Sequence, residues 1–227
     1  LTRADLTGAD LRGANLTLAV LDSTRLDGAK MQGALLAGAR LKKASLRKVS
    51  LEKAVLPDAD LSQAFLNGAS LRGADLGAAQ IGFVGPAPAR LPGADLSHAD
   101  LSGANLKGVD FSEANLANAV FKGAQLGGAN LEWTRAKGAD FSGARLPWVL
   151  AYGADFRAAS FKDANLVSAQ MVGADLRGTD FRGANLTETN FNQADLKGAN
   201  FKDARIDDIL FHAARNVPGE IQEDSQP

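Results

Sequence analysis

Large apolar residues recur at every fifth position along nearly the whole chain. From Leu1 to Phe211 the 43 positions of this register hold 27 Leu, 9 Phe, 2 Met, 2 Ile, 2 Ala and 1 Pro. With each such position written as i, position i−2 carries 34 Ala, 4 Val, 4 Thr and 1 Ile between Ala4 and Ala214, so the small partner is as regular as the large one. Polar residues keep the same beat. Asp or Asn is frequent at i−1, as in Asp5, Asp10, Asn15, Asp95 and Asp100, and Gly at i+2, as in Gly8, Gly13, Gly28 and Gly33.

A five-residue step rotates a side chain by roughly 140° about a helix axis, which scatters the leucines and leaves no amphipathic face. In a continuous strand the odd spacing would send successive leucines to opposite sides. The pattern instead predicts a short extended piece with i−2 and i inward, closed by a turn at i+1 and i+2 that re-aims the next piece. Glycine at the second turn position suits a crowded corner or a demanding backbone angle. Asp and Asn at i−1 can bond neighbouring backbone groups beside the turn.

The motif Ala4-Asp5-Leu6-Thr7-Gly8 returns as Ala14-Asn15-Leu16, Ala94-Asp95-Leu96-Ser97 and Ala199-Asn200-Phe201-Lys202, and it resembles the repeat of the pentapeptide-repeat proteins. The resemblance implies an all-β fold, a right-handed quadrilateral parallel β-helix with four pentapeptides per coil and a square interior filled by stacked central residues. In that register Phe121, Phe141, Phe161, Phe181 and Phe201 lie one coil apart, as do Phe191 and Phe211. None of the nine central Phe falls on the face assigned to Leu6, Leu26, Leu46, Leu106 and Leu126. At about 4.8 Å per coil, about eleven coils of 20 residues would form a rod. One β-helix is expected over 1–215 with an irregular break at 82–90, followed by a polar tail over 216–227.

Three departures from the repeat are candidates for function, since solenoids carry it in such variation. Pro86 replaces a central residue within the break, which is either a bulge between two halves of one rod or a partner-contacting loop with Phe83 at its tip. Trp133, Trp148, Leu150, Tyr152 and Val172 occupy outward positions and include both tryptophans and the only tyrosine. They would form an apolar surface for an unidentified protein partner or for self-association as a homodimer. Alternatively an aromatic ring folds inward beside Ala136 and Ala151, which stand where large central residues belong. The third departure is the basic run Arg40, Lys42, Lys43, Arg47, Lys48 and Lys53, either a solvated face or a docking site for an acidic partner. Without interleaved aromatics it is a poor nucleic-acid groove, and no nucleic-acid partner is expected.

Composition narrows the chemistry. Among 227 residues there is no Cys and only two His, and the net charge is −1. Disulfides, thiolate metal sites and cysteine nucleophiles are excluded. His98 and His212 belong to different faces, so no catalytic site, metal or cofactor is expected and the chain reads as a non-enzyme. The neutrality conceals an asymmetry: residues 1–90 carry 12 basic and 8 acidic side chains, the remainder 13 and 18. No membrane insertion is expected, and the location is read as cytoplasmic, with a secreted or lumenal one left open. Because Leu1 is already a central residue, the chain is expected to be part of a larger bacterial protein. The resemblance also implies an alternative to an interaction or spacer module, namely a DNA-mimicking protein that binds gyrase or topoisomerase and confers resistance to quinolone-like poisons. Duplex DNA carries a charge about every 1.7 Å. Here Asp155, Asp175 and Asp195 alternate with Arg157, Arg177 and Lys197, which leaves no uncompensated acidic stripe.

Overall fold

A computed structural model describes residues 1–77 and 91–222. Phe83 and the break at 82–90 lie outside the described residues. Within them each repeat contributes a single pairing residue, at i−1, and no continuous strand forms. The pairs are parallel and 20 residues apart, as in Asp5 with Arg25, Arg25 with Ser45 and Ser45 with Phe65, so four pentapeptides complete one coil. The result is a repeat solenoid with four faces. We number them by their central residues: first (Leu21, Leu41, Leu61), second (Leu26, Leu46, Leu66), third (Met31, Leu51, Leu71) and fourth (Leu36, Leu56, Leu76).

Why the chain closes this way follows from its backbone donors, which must find acceptors wherever they are withdrawn from water. Each full repeat has five N–H groups. The central one donates to the next coil, as Leu26 does to the Ser45 carbonyl at 2.6 Å, and so does the one at i+2, as Gly28 does to Arg47 at 2.8 Å. The one at i−1 reaches back a coil, as Arg25 does to Ala4 at 2.9 Å, and the one at i−2 closes the turn, as Ala29 does to Leu26 at 3.0 Å. The fifth, at i+1, has no carbonyl. It donates to the Asp or Asn side chain at i−1, as Thr7 does to Asp5 Oδ1 at 3.0 Å and Val167 to Asn165 Oδ1 at 3.1 Å. The second turn residue takes a left-handed φ throughout, +69° at Gly8 and +59° at His98, in the manner of a type II turn.

Inside, apart from the end coils, Ala at i−2 and the large residue at i are almost wholly withdrawn from solvent. Phe121, Phe141, Phe161, Phe181 and Phe201 stack on the third face with centroids 4.6 to 5.4 Å apart. Phe156 meets Phe141 and Phe161 edge-on at 5.9 and 5.2 Å. The buried threonines at i−2 satisfy their hydroxyls on backbone carbonyls, Thr179 on Phe156 and Thr189 on Leu166, each at 3.0 Å.

The register differs from expectation across the break. There Phe65 pairs with Asp95, Ser70 with Asp100 and Asp75 with Asn105, an offset of 30 residues. The ten additional residues are two whole pentapeptides. They leave the five-residue frame intact while shifting by half a coil which repeats share a face. Leu6, Leu26 and Leu46 therefore continue through Leu66 into Leu96, Leu116 and Phe156, whereas Leu106 and Leu126 continue the fourth face below Leu76. The column assigned to Leu6 does contain a phenylalanine, and it is the fourth face that has none. Beyond the last repeat, the segment expected to be a polar tail contains a short helix, Gly219–Gln222, which places Ile221 in the core cluster at this end of the rod.

Replacing Phe161 by Ala removes the middle ring of the stack and should cost about 3–5 kcal/mol in denaturant unfolding. Lys162→Ala, on the exposed side of the next position, should stay within about 0.5 kcal/mol.

Candidate functional site

Because i−2 and i point inward, whatever the rod presents to other molecules sits at i−1, i+1 and i+2. In the coil containing Ala151 the first face runs from the corner at Trp148 through Leu150 and Tyr152 to the corner at Gly153. The Leu131 N–H bonds the Leu150 carbonyl at 2.6 Å, and that of Trp133 bonds Tyr152 at 2.9 Å. The Gly153 N–H bonds Val172 at 3.0 Å. Those three bonds stack Glu132, Tyr152 and Val172 in one column with Trp133 and Leu150 beside it. Trp133 and Trp148 are 64% and 65% exposed and Leu150 is 37% exposed, while Tyr152 and Val172 are half-buried.

Neither tryptophan folds inward. Ala136 and Ala151 are buried, and the large side chains one coil on in their own columns, Phe156 and Met171, are buried with them. Both indoles stand on left-handed backbone, φ +58° at Trp133 and +56° at Trp148, where the fold often uses Gly. A side chain there costs on the order of 1 kcal/mol, so neither ring is explained by the needs of the turn. Trp133 also lies where a Cβ on Gly153 would have to go, so this glycine is what lets the ring lie along the corner.

The basic run does not converge. Lys43, Lys48 and Lys53 stand at three successive corners, because each five-residue advance carries the chain a quarter of the way round the coil. Arg40 is ion-paired to Asp22 at 2.5 Å, and Arg47 lies 4.7 Å from the ring centroid of Phe65. A run contiguous in sequence becomes a belt, partly engaged by its own neighbours. Outside the three departures, Leu18, Val20 and Leu35 are also 74%, 41% and 42% exposed. The rule that found Trp148 and Leu150, an apolar residue at i+2 or i−1, would have found them too.

From Asp100 to Asp195 the aspartates at i−1 on the second and third faces are ion-paired, whereas Arg135, Lys137 and Lys162 on those faces make no ion pair among the described residues. Arg157 binds Asp155 at 2.6 Å and reaches Asp175 at 3.6 Å, Arg177 binds Asp175 at 2.6 Å, and Arg182 binds Asp180 at 2.7 Å. The Arg157 guanidinium holds the Asp155 carboxyl below its ordinary range, outweighing partial burial and the repulsion of Asp175. Hydrogen bonds from Arg177 and Arg182 lower Asp175 and Asp180 in the same way. Among the described residues no cluster of three or more His, Asp or Glu is placed to hold a metal ion. No helix among them is long and apolar enough to cross a membrane.

A family model for pentapeptide repeats matches residues 1–38, 34–73, 89–116, 114–150, 139–178 and 174–212. Among solved structures, HetL, a pentapeptide repeat protein involved in heterocyst differentiation regulation from the cyanobacterium Nostoc sp. strain PCC 7120, is 28% identical with a TM-score of 0.51, over 93% of this chain and 89% of HetL. QnrB1, a plasmid-mediated fluoroquinolone resistance protein, is 16% identical with a TM-score of 0.41, over 76% of this chain and 91% of its own. The pentapeptide repeat protein Rfr23 from the cyanobacterium Cyanothece 51142 is 21% identical with a TM-score of 0.34, over 67% and 90%. Comparison with curated protein sequences gave no match.

The paired aspartates give the rod an acid limit. Their folded-state pKa values lie below the ordinary 3.8, so their stabilisation is complete above that value and is lost as the pH falls through the lowered ones. The midpoint of thermal unfolding should be level near neutrality and drop below about pH 4. An Asp155→Asn, Asp175→Asn variant should show a lower midpoint at pH 7 and a shallower drop in acid.

Proposed function

The chain belongs to the pentapeptide-repeat family, and from that premise we propose that it is a non-enzymatic interaction module whose aromatic first face is the contact surface. The observation that carries this reading is the concentration of Trp133, Trp148, Leu150 and Tyr152 on one face and its two corners, with both indoles largely exposed on strained backbone. Contiguous exposed apolar surface with aromatic side chains marks protein contact sites. Stacked repeats supply the rigid, extended surface such a role needs.

The occupant of the module is another protein or a second copy of the chain. Its finer geometry is taken to be a right-handed quadrilateral β-helix, with half a coil fewer than the nearly eleven that repeat counting gives, because the break inserts two pentapeptides. The likeness to HetL, a protein of differentiation control, supports a regulatory or scaffolding use of the rod. Against the DNA-mimicking alternative stands the pairing of Asp155, Asp175 and Asp180 with arginines on the same surface.

A Trp148→Ala, Tyr152→Ala double variant tests the reading. Both side chains point outward, so the unfolding midpoint should stay close to that of the parent. Self-association in sedimentation velocity, or binding to any partner the parent captures, should fall at least tenfold. A variant that keeps its fold and all of those contacts sinks the proposal.

A further inference from the structure

Around the corner from the aromatic face, the fourth face has a depression of about 390 Å³. Its origin is a pair of glycines. Gly127 and Gly128 occupy two outward positions in succession, and without side chains they leave a notch one coil high. Pro147 and Trp148 from the next coil bound it, Lys107 comes from the coil above, and Arg145 stands on the same coil as Trp148. The size is at the lower end of pockets that hold small ligands or single anchoring side chains.

Its charge is one-sided. Gln125 and Asn165, the other lining side chains, are neutral amides. Over the four coils of this face that include residues 105–108, 125–128, 145–148 and 165–168 there is no Asp or Glu. Elsewhere arginines at i−1 or i+1 commonly meet a carboxylate, as Arg157, Arg177 and Arg182 do. Arg145 and Lys107 make no ion pair among the described residues. The notch also has a spare donor. The i+1 N–H that an Asp or Asn ordinarily accepts belongs here to Gly127, behind Gln125, and it has no protein acceptor among the described residues.

An apolar wall, a bare backbone floor and two uncompensated cations at the rim define one kind of occupant. We propose that this notch anchors an aromatic side chain of an acidic protein segment. The ring lies against Trp148 and over Gly127 and Gly128, and carboxylates flanking it in the segment pair with Arg145 and Lys107. Ring stacking on an indole and charge-assisted hydrogen bonds to a guanidinium are each strong for their size. The proposal rests on reading the chain as a protein-interaction module and extends the contact surface from the first face onto the fourth.

Trp133→Phe leaves Trp148 as the only indole of the chain, so its fluorescence reports the notch directly. The capped peptide Asp-Phe-Asp should give a saturable change with a midpoint below about 1 mM, weakening as salt is raised. Capped Asp-Ala-Asp and Lys-Phe-Lys should bind at least tenfold more weakly. Adding Lys107→Ser and Arg145→Ser, both at surface positions, should weaken Asp-Phe-Asp at least tenfold with an unchanged unfolding midpoint, whereas Lys162→Ala on the third face should leave it unchanged. No saturable response, equal binding of either control peptide, or indifference to the double cation removal overturns the proposal. Those results leave the first-face reading intact, because that reading is decided by the loss of self-association or partner binding on replacing Trp148 and Tyr152.

Discussion

The structure depends on where the fifth backbone donor of each repeat goes. Four of the five N–H groups are met by carbonyls of the same turn or of neighbouring coils, but the one at i+1 faces outward at the start of the corner. Asp or Asn at i−1 is the short side chain that reaches it, as at Asp95 and Asn165. That local bond holds the turn, and the turn fixes the quarter-coil advance that brings the next Ala and Leu inward. Where a repeat lacks it, a side chain from the coil before can stand in. Asp22 accepts from the Lys42 N–H at 3.1 Å and Asp27 from that of Arg47 at 2.9 Å.

That constraint also shows what the proposed contact surface costs. Leu150 and Gln125 occupy i−1 positions where the fold prefers Asp or Asn, and Trp133 and Trp148 occupy i+2 positions where it prefers Gly. The N–H of Tyr152, two residues after Leu150, accordingly has no acceptor among the described residues. Each departure gives up a turn-stabilising feature worth about 1 kcal/mol. Departures concentrated in one stretch of surface are the local rule-breaking that functional sites display.

Most of the architecture was legible because a repeat restates its rule more than forty times. The five-residue frame, the inward pair and the Phe121 to Phe201 stack all follow from residue type and spacing. What escaped is stacking across the break, since two whole inserted pentapeptides change which repeats are neighbours without disturbing the frame that reveals them. The orientation of the aromatics was equally hidden. Ala136 and Ala151 leave room on paper, and only the packing shows Phe156 and Met171 buried in the same columns. The basic run becomes a belt because proximity in sequence is proximity around the coil, whereas a flat site is built from residues one coil apart.

Near-neutrality, finally, is a sum over faces that differ. Between Asp100 and Asp195 the ion pairs among the described residues lie on the second and third faces, where Asp at i−1 meets Arg or Lys of the same or a neighbouring coil. The first face of the same stretch is aromatic, and the fourth is free of acids around its notch. In a square solenoid the corner shared by the first and fourth faces, which carries Trp148, lies diagonally opposite the corner shared by the second and third. Ion pairing offsets the aspartates of one side. On the other, exposed apolar surface meets the unpaired cations Lys107 and Arg145 at Trp148, so a partner of the proposed kind would reach both faces at once.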